Sequence, residues 1–168
     1  MQVVADTSAL VSLGTIADQT WNPLDHLLDR QSVLVPELVV DELAETAAYD
    51  DPSGIAATRV LDRQPALKTQ DISLDESFPL DDGENAAVTL ANECRAAQFL
   101  CDEFNQLALV HASLVETRLV TTPTLLVSLA QTDAVDSRTA AALLQDVTDA
   151  RSWANNSYVD RARTVLDA

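Results

Sequence analysis

Short apolar runs alternate along the chain with longer stretches whose apolar residues recur at helical spacing. Met1-Gln2-Val3-Val4-Ala5, Val33-Leu34-Val35, Phe99-Leu100-Cys101 and Arg118 to Thr121 read as strands, with Leu67 to Ile72 a weaker one. Helical spacing covers Ser8 to Ala17, Leu24 to Arg30, Pro36 to about Ala48, and a stretch ending near Arg63 that follows the turn Asp50-Asp51-Pro52-Ser53-Gly54. Asp82-Gly83-Glu84 opens a further helix through Ala97, with Asp82 as its expected N-cap. Phe104 to Leu114, Pro123 to Ala130 and two stretches from about Ser137 and Tyr158 complete the set. Strands and helices in alternation predict an α/β fold with a mainly parallel central sheet covered by helices. The 168 residues are expected to form a single domain over 1–168, with residues beyond about 131 contributing its last helices.

Four acids break the pattern of polar residues facing water. Asp6 and Asp102 each close an apolar strand, at the carboxyl edge where open α/β sheets bind ligands. On the helix after Pro36, taking Val39 as zero and about 100° per residue, Leu43, Ala47 and Val40 fall at about 40°, 80° and 100°. Glu42 falls at about −60°, inside the apolar arc, whereas Asp41 and Glu45 lie opposite it. Counted from Ala87, Glu84 lies at about 60° among Ala91, Val88 and Cys94. An acid in a first helical turn is favoured by the helix dipole in any case, and Asp102 is well suited to capping the helix that follows it. Together, though, the four are expected to meet at one sheet edge. Converging carboxylates need a compensating cation, and an all-oxygen ligand set suits Mg²⁺ or Mn²⁺.

Charge changes the picture further. The chain carries 27 acids against 10 bases, a formal net charge of −17, with Lys68 the only lysine. Self-repulsion of this size is screened at about 1 M salt, where the Debye length falls to about 3 Å. The acids spread along the whole chain, unlike those of a nucleic-acid mimic, and the pattern resembles proteins of salt-in halophiles. Cys94 and Cys101 form no CxxC pair and are expected to be buried thiols. No apolar run is long enough to span a membrane and no signal peptide is legible, so a cytoplasmic protein is expected.

The ordered acid motifs resemble those of the PIN-domain ribonucleases, including toxins of the VapC type. Val4-Ala5-Asp6-Thr7-Ser8-Ala9-Leu10 is similar to the opening motif and Val35-Pro36 through Val40-Asp41-Glu42-Leu43 to the second. Asp82-Gly83-Glu84-Asn85-Ala86-Ala87 resembles the Gly-Glu form of the third, and Phe99-Leu100-Cys101-Asp102-Glu103 the fourth. The likeness spans roughly residues 2 to 130. It implies a three-layer α/β/α fold and metal-assisted hydrolysis of single-stranded RNA. Asp6, Glu84 and Asp102 would hold Mg²⁺ or Mn²⁺, and Glu42 would act with them as the fourth catalytic acid. Ser8 would fix a carboxylate rotamer or touch phosphate, and Thr122 would contact substrate. Asn105 stands where many members carry a further acid, which bears on metal affinity. The implied partners are RNA, an antitoxin protein and a second copy of the chain. The competing class is a degenerate PIN module that binds without cleaving.

Other strand-end aspartate enzymes fit less well. A dehalogenase-like phosphatase wants a second Asp where Ser8 stands, and a response-regulator receiver wants a late lysine. His111 shares an apolar face with Phe104, Leu107 and Leu114 and is expected in the core. With so few bases, RNA would have to be met by the metal and by arginines, for which Arg59, Arg63, Arg95 and Arg118 are candidates. The charge carries a prediction of its own: the thermal midpoint should rise steeply between dilute buffer and molar KCl. A melt that ignores salt would overturn the halophilic reading.

Overall fold

The computed structural model describes residues 1–168. Five strands form one all-parallel sheet: β1 (Gln2–Ala5), β2 (Ser32–Pro36), β3 (Lys68–Gln70), β4 (Gln98–Leu100) and β5 (Arg118–Val120), in the order β3-β2-β1-β4-β5. The chain builds outward from β1 to β3, then returns to lay β4 on the other side of β1. The order therefore reverses between β1 and β4, which makes their carboxyl ends the natural ligand crevice. Pairing of Val4 with Phe99 and of Ala5 with Leu100 brings the residues that follow, Asp6 and Asp102, to neighbouring strand ends.

Nine helices cover this sheet: α1 (Thr7–Thr15), α2 (Pro23–Arg30), α3 (Glu37–Ala47), α4 (Pro52–Leu61), α5 (Asp82–Glu93), α6 (Leu107–Ser113), α7 (Thr122–Gln131), α8 (Ser137–Ala150) and α9 (Ser157–Leu166). Strand alternation divides them into layers. Val3, Ala5, Val33 and Val35 face a core with α1 to α4 and Leu125. Val4, Leu34, Phe99 and Cys101 face the other way, onto α5 and α6. The result is the expected three-layer α/β/α architecture. A third cluster joins α7, α8 and α9 to Ile16, so the C-terminal helices pack against the end of α1.

Local signals set most helix starts. Asp6, Asn22, Asp51, Thr121, Asp136 and Asn156 each accept a backbone N–H of the first turn, and Pro23 and Pro52 follow their caps directly. Three boundaries depart from expectation. The α5 cap is Asp81, not Asp82: its side chain accepts from Glu84 N at 2.8 Å, the spacing of a capping box. The same helix stops at Glu93 because Arg95 takes a left-handed φ of 49° and Ala96 N returns to Ala91 O. Finally, residues after Asp102 turn before α6 begins at Leu107. That delay rotates α6 so that Leu107 and Val110 are buried and His111 is exposed, not in the core. Cys101 is fully buried as expected, but Cys94 is only partly so.

α1 and α4 approach closely at Gly14. A Cβ there would lie 2.3 Å from Ala56 O, a backbone atom that cannot swing away. Gly14→Ala should therefore destabilise the fold by about 1–3 kcal/mol, read as a lower urea midpoint with an unchanged m-value.

Candidate active site

At the β1/β4 crevice, Asp6, Thr7, Ser8, Glu42, Asp81, Gly83, Glu84 and Glu103 line one cleft, and no apolar side chain joins them. Each arrives by a different route. Asp6 ends β1 and caps α1 through Ala9 N at 2.9 Å. Glu42 comes from the inward side of α3, half-buried, while Asp41 and Glu45 are exposed. Glu84 stands in the first turn of α5 at 8 % exposure. Asp81 is its cap, and Glu103 follows Asp102 in the turn after β4.

Hydrogen bonds fix the acids from behind. The Ser8 hydroxyl contacts both Asp6 oxygens, at 2.7 and 2.9 Å, and accepts Asp102 N at 2.9 Å. One side chain thus ties the two strand ends together. Thr7 donates its hydroxyl to Glu42. Asp102 is 5 % exposed and does not line the cleft; it lies beneath it, accepting Thr122 N at 2.7 Å and Thr122 Oγ1 at 2.6 Å. It therefore supports the first turn of α7, which follows the neighbouring strand β5 and is capped by Thr121, and does not cap α6. Thr122, 2 % exposed with both donors engaged, is a holder of Asp102 and not an open contact for substrate. Asn105 is exposed and outside the cleft lining.

The third motif's glycine has a specific use. A Cβ on Gly83 would fall 2.1 Å from Glu42 Oε1, so its absence lets the carboxylate of α3 seat against the first turn of α5. The loop before α5 is clamped as well: Asn85 accepts Asp75 N at 3.0 Å and donates to Asp75 O at 2.7 Å.

Burial and crowding make these acids hard to ionise together. Burial pushes the Asp6 carboxyl up to about 7, against hydrogen bonds from Ala9, Cys101 and Ser8 that favour its charged form. Burial also pushes Glu84 up to about 7, helped by the negative charges of Asp81, Glu103 and Glu42. Glu42 is raised by burial and by Asp81, Glu45 and Glu103, with Thr7 opposing. Asp102 is raised by burial despite Thr122.

The donor set is all oxygen and strongly anionic, and a glycine leaves room for it, which fits a hard divalent cation. As the side chains stand, no three His, Cys, Asp or Glu residues converge closely enough to hold one ion. Asp6, Glu42 and Glu84 share the cleft, with Asp102 behind them. Asp81, Glu103 and Thr7 also line it and were not among the expected site residues; the Asp81-to-Glu84 capping spacing was the available signal for the first.

None of the four arginines expected to meet RNA reaches this edge. Arg59 pairs with Asp18 at 2.9 Å and donates to the carbonyls of Gly14 and Thr15 at the end of α1. Arg63 forks onto Asp25 of α2. Arg95 follows α5 and Arg118 opens β5, both at the amino edge of the sheet.

The raised carboxyls set a pH dependence for the metal-free protein. The folded state holds protons on Asp6 and Glu84 that the unfolded chain has lost above about pH 4–5, so stability falls as pH rises toward 7 and is lowest above it. Asp25, Asp75 and Asp136, whose carboxyls are lowered, act only below that window. Glu84→Gln should flatten the decline between pH 5 and 8 and raise stability at pH 8 by about 0.5–2 kcal/mol. Thermal melts in chelator at one high KCl concentration check this; a variant that is less stable at pH 8 would show that Glu84 is not crowded by its neighbours.

A family model described as a PIN domain (DUF3368) matches residues 2–167. No curated protein matches the chain. The match takes in the whole parallel sheet, the switch-point crevice with its buried strand-end acids, and the C-terminal helices. The chain belongs to the PIN-domain family, whose members are generally nucleases.

Proposed function

We propose that the protein is an Mg²⁺- or Mn²⁺-dependent endoribonuclease that hydrolyses phosphodiester bonds of single-stranded RNA. The observation that carries this reading is the apolar-free cleft in which Asp6, Glu42 and Glu84 crowd with Asp81 and Glu103, with Asp6 and Glu84 pushed up to about 7. Carboxylates so placed repel one another until a cation enters. Asp6 and Glu84 would bind the metal, and Asp102 would join them from beneath. When bound, the cation supplies a Lewis acid that makes water a nucleophile near neutral pH and neutralises phosphate charge.

The chain's own residues supply position and proton handling. Ser8 and Ala9 N hold Asp6 in one rotamer, and Thr122 does the same for Asp102. Thr7 aims Glu42, which is free to orient the attacking water or to take its proton. The switch point keeps the acids on rigid strand ends and helix first turns. A role as the toxin of a toxin–antitoxin pair, with an antitoxin protein as partner, is the form of this activity that the motif resemblance suggests. A cytoplasmic site of action and a homodimer belong to the same reading. No helix is long and apolar enough to cross a membrane.

One observation favours a second reading, a binding module that does not cleave: no three potential ligands converge as they stand. Cleavage separates the two. In molar KCl the protein should cut single-stranded RNA with Mg²⁺ or Mn²⁺, stop with chelator, and lose at least about a hundredfold in rate on Asp6→Asn while remaining folded. Cleavage that survives in the variant would come from another site, and no cleavage by the unaltered protein would favour the binding module.

A further inference from the structure

Aromatic side chains are scarce in this chain, which has two Trp, two Tyr and three Phe. Three of them meet beside the acidic cleft. Phe104 directly follows Glu103, which lines the cleft, and its ring meets Trp153 edge-on at 5.0 Å and Tyr158 at 5.3 Å. Trp153 is buried, whereas Tyr158, at the start of α9, is 37 % exposed. Packing on Phe104 covers part of Tyr158, and the remainder forms a wall of a groove between α7 and α9.

That groove encloses about 240 Å³ and is lined by Thr124, Val127, Tyr158, Arg161, Ala162 and Val165. No acid lines it, in a chain with 27 acids. Arg161 is exposed and makes no ion pair. The groove shares its supports with the cleft. Thr124 stands in the same first turn of α7 as Thr122, which holds Asp102. Tyr158 packs on the residue after Glu103. Both open at the carboxyl edge of the sheet.

We propose that the α7–α9 groove is a nucleobase subsite, in which a base of single-stranded RNA stacks on Tyr158 and Arg161 meets the adjoining phosphate. This deepens the ribonuclease reading and rests on it. A chain of net charge −17 gains little from phosphate contacts in molar KCl, where counter-ion release is weak. Stacking on an aromatic ring does not depend on charge and survives that salt. The groove is smaller than the pockets that take drug-sized ligands, which suits one base. Stacking accepts any base, so the subsite sets where the strand lies and not which sequence is cut.

The test is binding of a fluorescein-labelled, mixed-sequence single-stranded RNA, and of an abasic ribose-phosphate strand of equal length, across a KCl series. Ca²⁺ replaces Mg²⁺, and the strands are checked as uncut. Tyr158→Leu, which keeps an apolar side chain on Phe104, should raise Kd for the RNA about tenfold and leave Kd for the abasic strand unchanged. Equal weakening of both strands would mean only a loosened turn after β4 and would overturn the subsite. Tyr158→Phe should bind RNA within about twofold of the unaltered protein, since the ring remains. Arg161→Gln should weaken both strands and make the slope of log K against log[KCl] shallower by about 0.7, the loss of one phosphate contact. Thermal melts in the same KCl establish that the variants are folded. If Tyr158→Leu does not fold, an unchanged slope in Arg161→Gln would overturn the proposal. Unchanged RNA Kd in folded Tyr158→Leu would overturn the subsite, leave the groove to a protein partner, and leave the ribonuclease reading standing on cleavage by the unaltered protein. Failure of the unaltered protein to bind RNA would overturn both.

Discussion

Two carboxylates almost cut off from water, Asp6 and Asp102, stand at neighbouring strand ends, and much of the structure answers the cost of putting them there. An unanswered buried charge costs several kcal/mol. Here Ala9 N, the Ser8 hydroxyl and the first turn of α7 meet it with short hydrogen bonds. These contacts need the β1–β4 register, the start of α1 and the start of α7 all at once. Ser8 is the joint between them, since it holds the Asp6 side chain and receives the Asp102 backbone. The two strand ends are consequently held in one arrangement by side chains from three elements.

Above that pair the cleft is arranged in the opposite sense, with charge left uncompensated. Glu42, Asp81, Glu84 and Glu103 come from α3, the cap of α5, its first turn and the turn after β4, and no base lines the cleft with them. Gly83 lets Glu42 approach a helix N-terminus, whose partial positive charge offsets some of the repulsion. Burial pushes the carboxyls of Asp6 and Glu84 up to about 7, with repulsion from Asp81, Glu103 and Glu42 adding to it at Glu84. On the proposed ribonuclease reading, such a cleft would trade metal-free stability for a site in which a divalent ion gains from its acidic neighbours.

The arginines show where the few positive charges are spent. Arg59 and Arg63 hold α4 against α1 and α2, far from the crevice, and their i, i+4 spacing suits that work as well as it would suit a solvated or RNA-facing surface. Arg151 stands apart from them, its Nε buried without a hydrogen-bond partner.

Period and punctuation in the chain were enough to reveal the parallel α/β architecture, nearly all the helices, and the inward aim of Glu42 and Glu84. These are local properties: a helical wheel or a strand-end position depends on neighbours a few residues away, and short-range sterics and burial enforce it. The errors lie where two local choices were nearly equal or where distant groups chose. Asp81 and Asp82 are both good caps, and the winner is set by the reach to Glu84 N. Helical spacing counted from Phe104 puts His111 on the apolar face, whereas the turn after Asp102 delays α6 to Leu107 and leaves His111 exposed. Asp102 bonded to Thr122 and Ser8 bridging two strands each join residues at least twenty positions apart. Such pairings have no periodicity to read, because they come into being only when packed helices and paired strands bring remote carboxylates and hydroxyls within bonding distance.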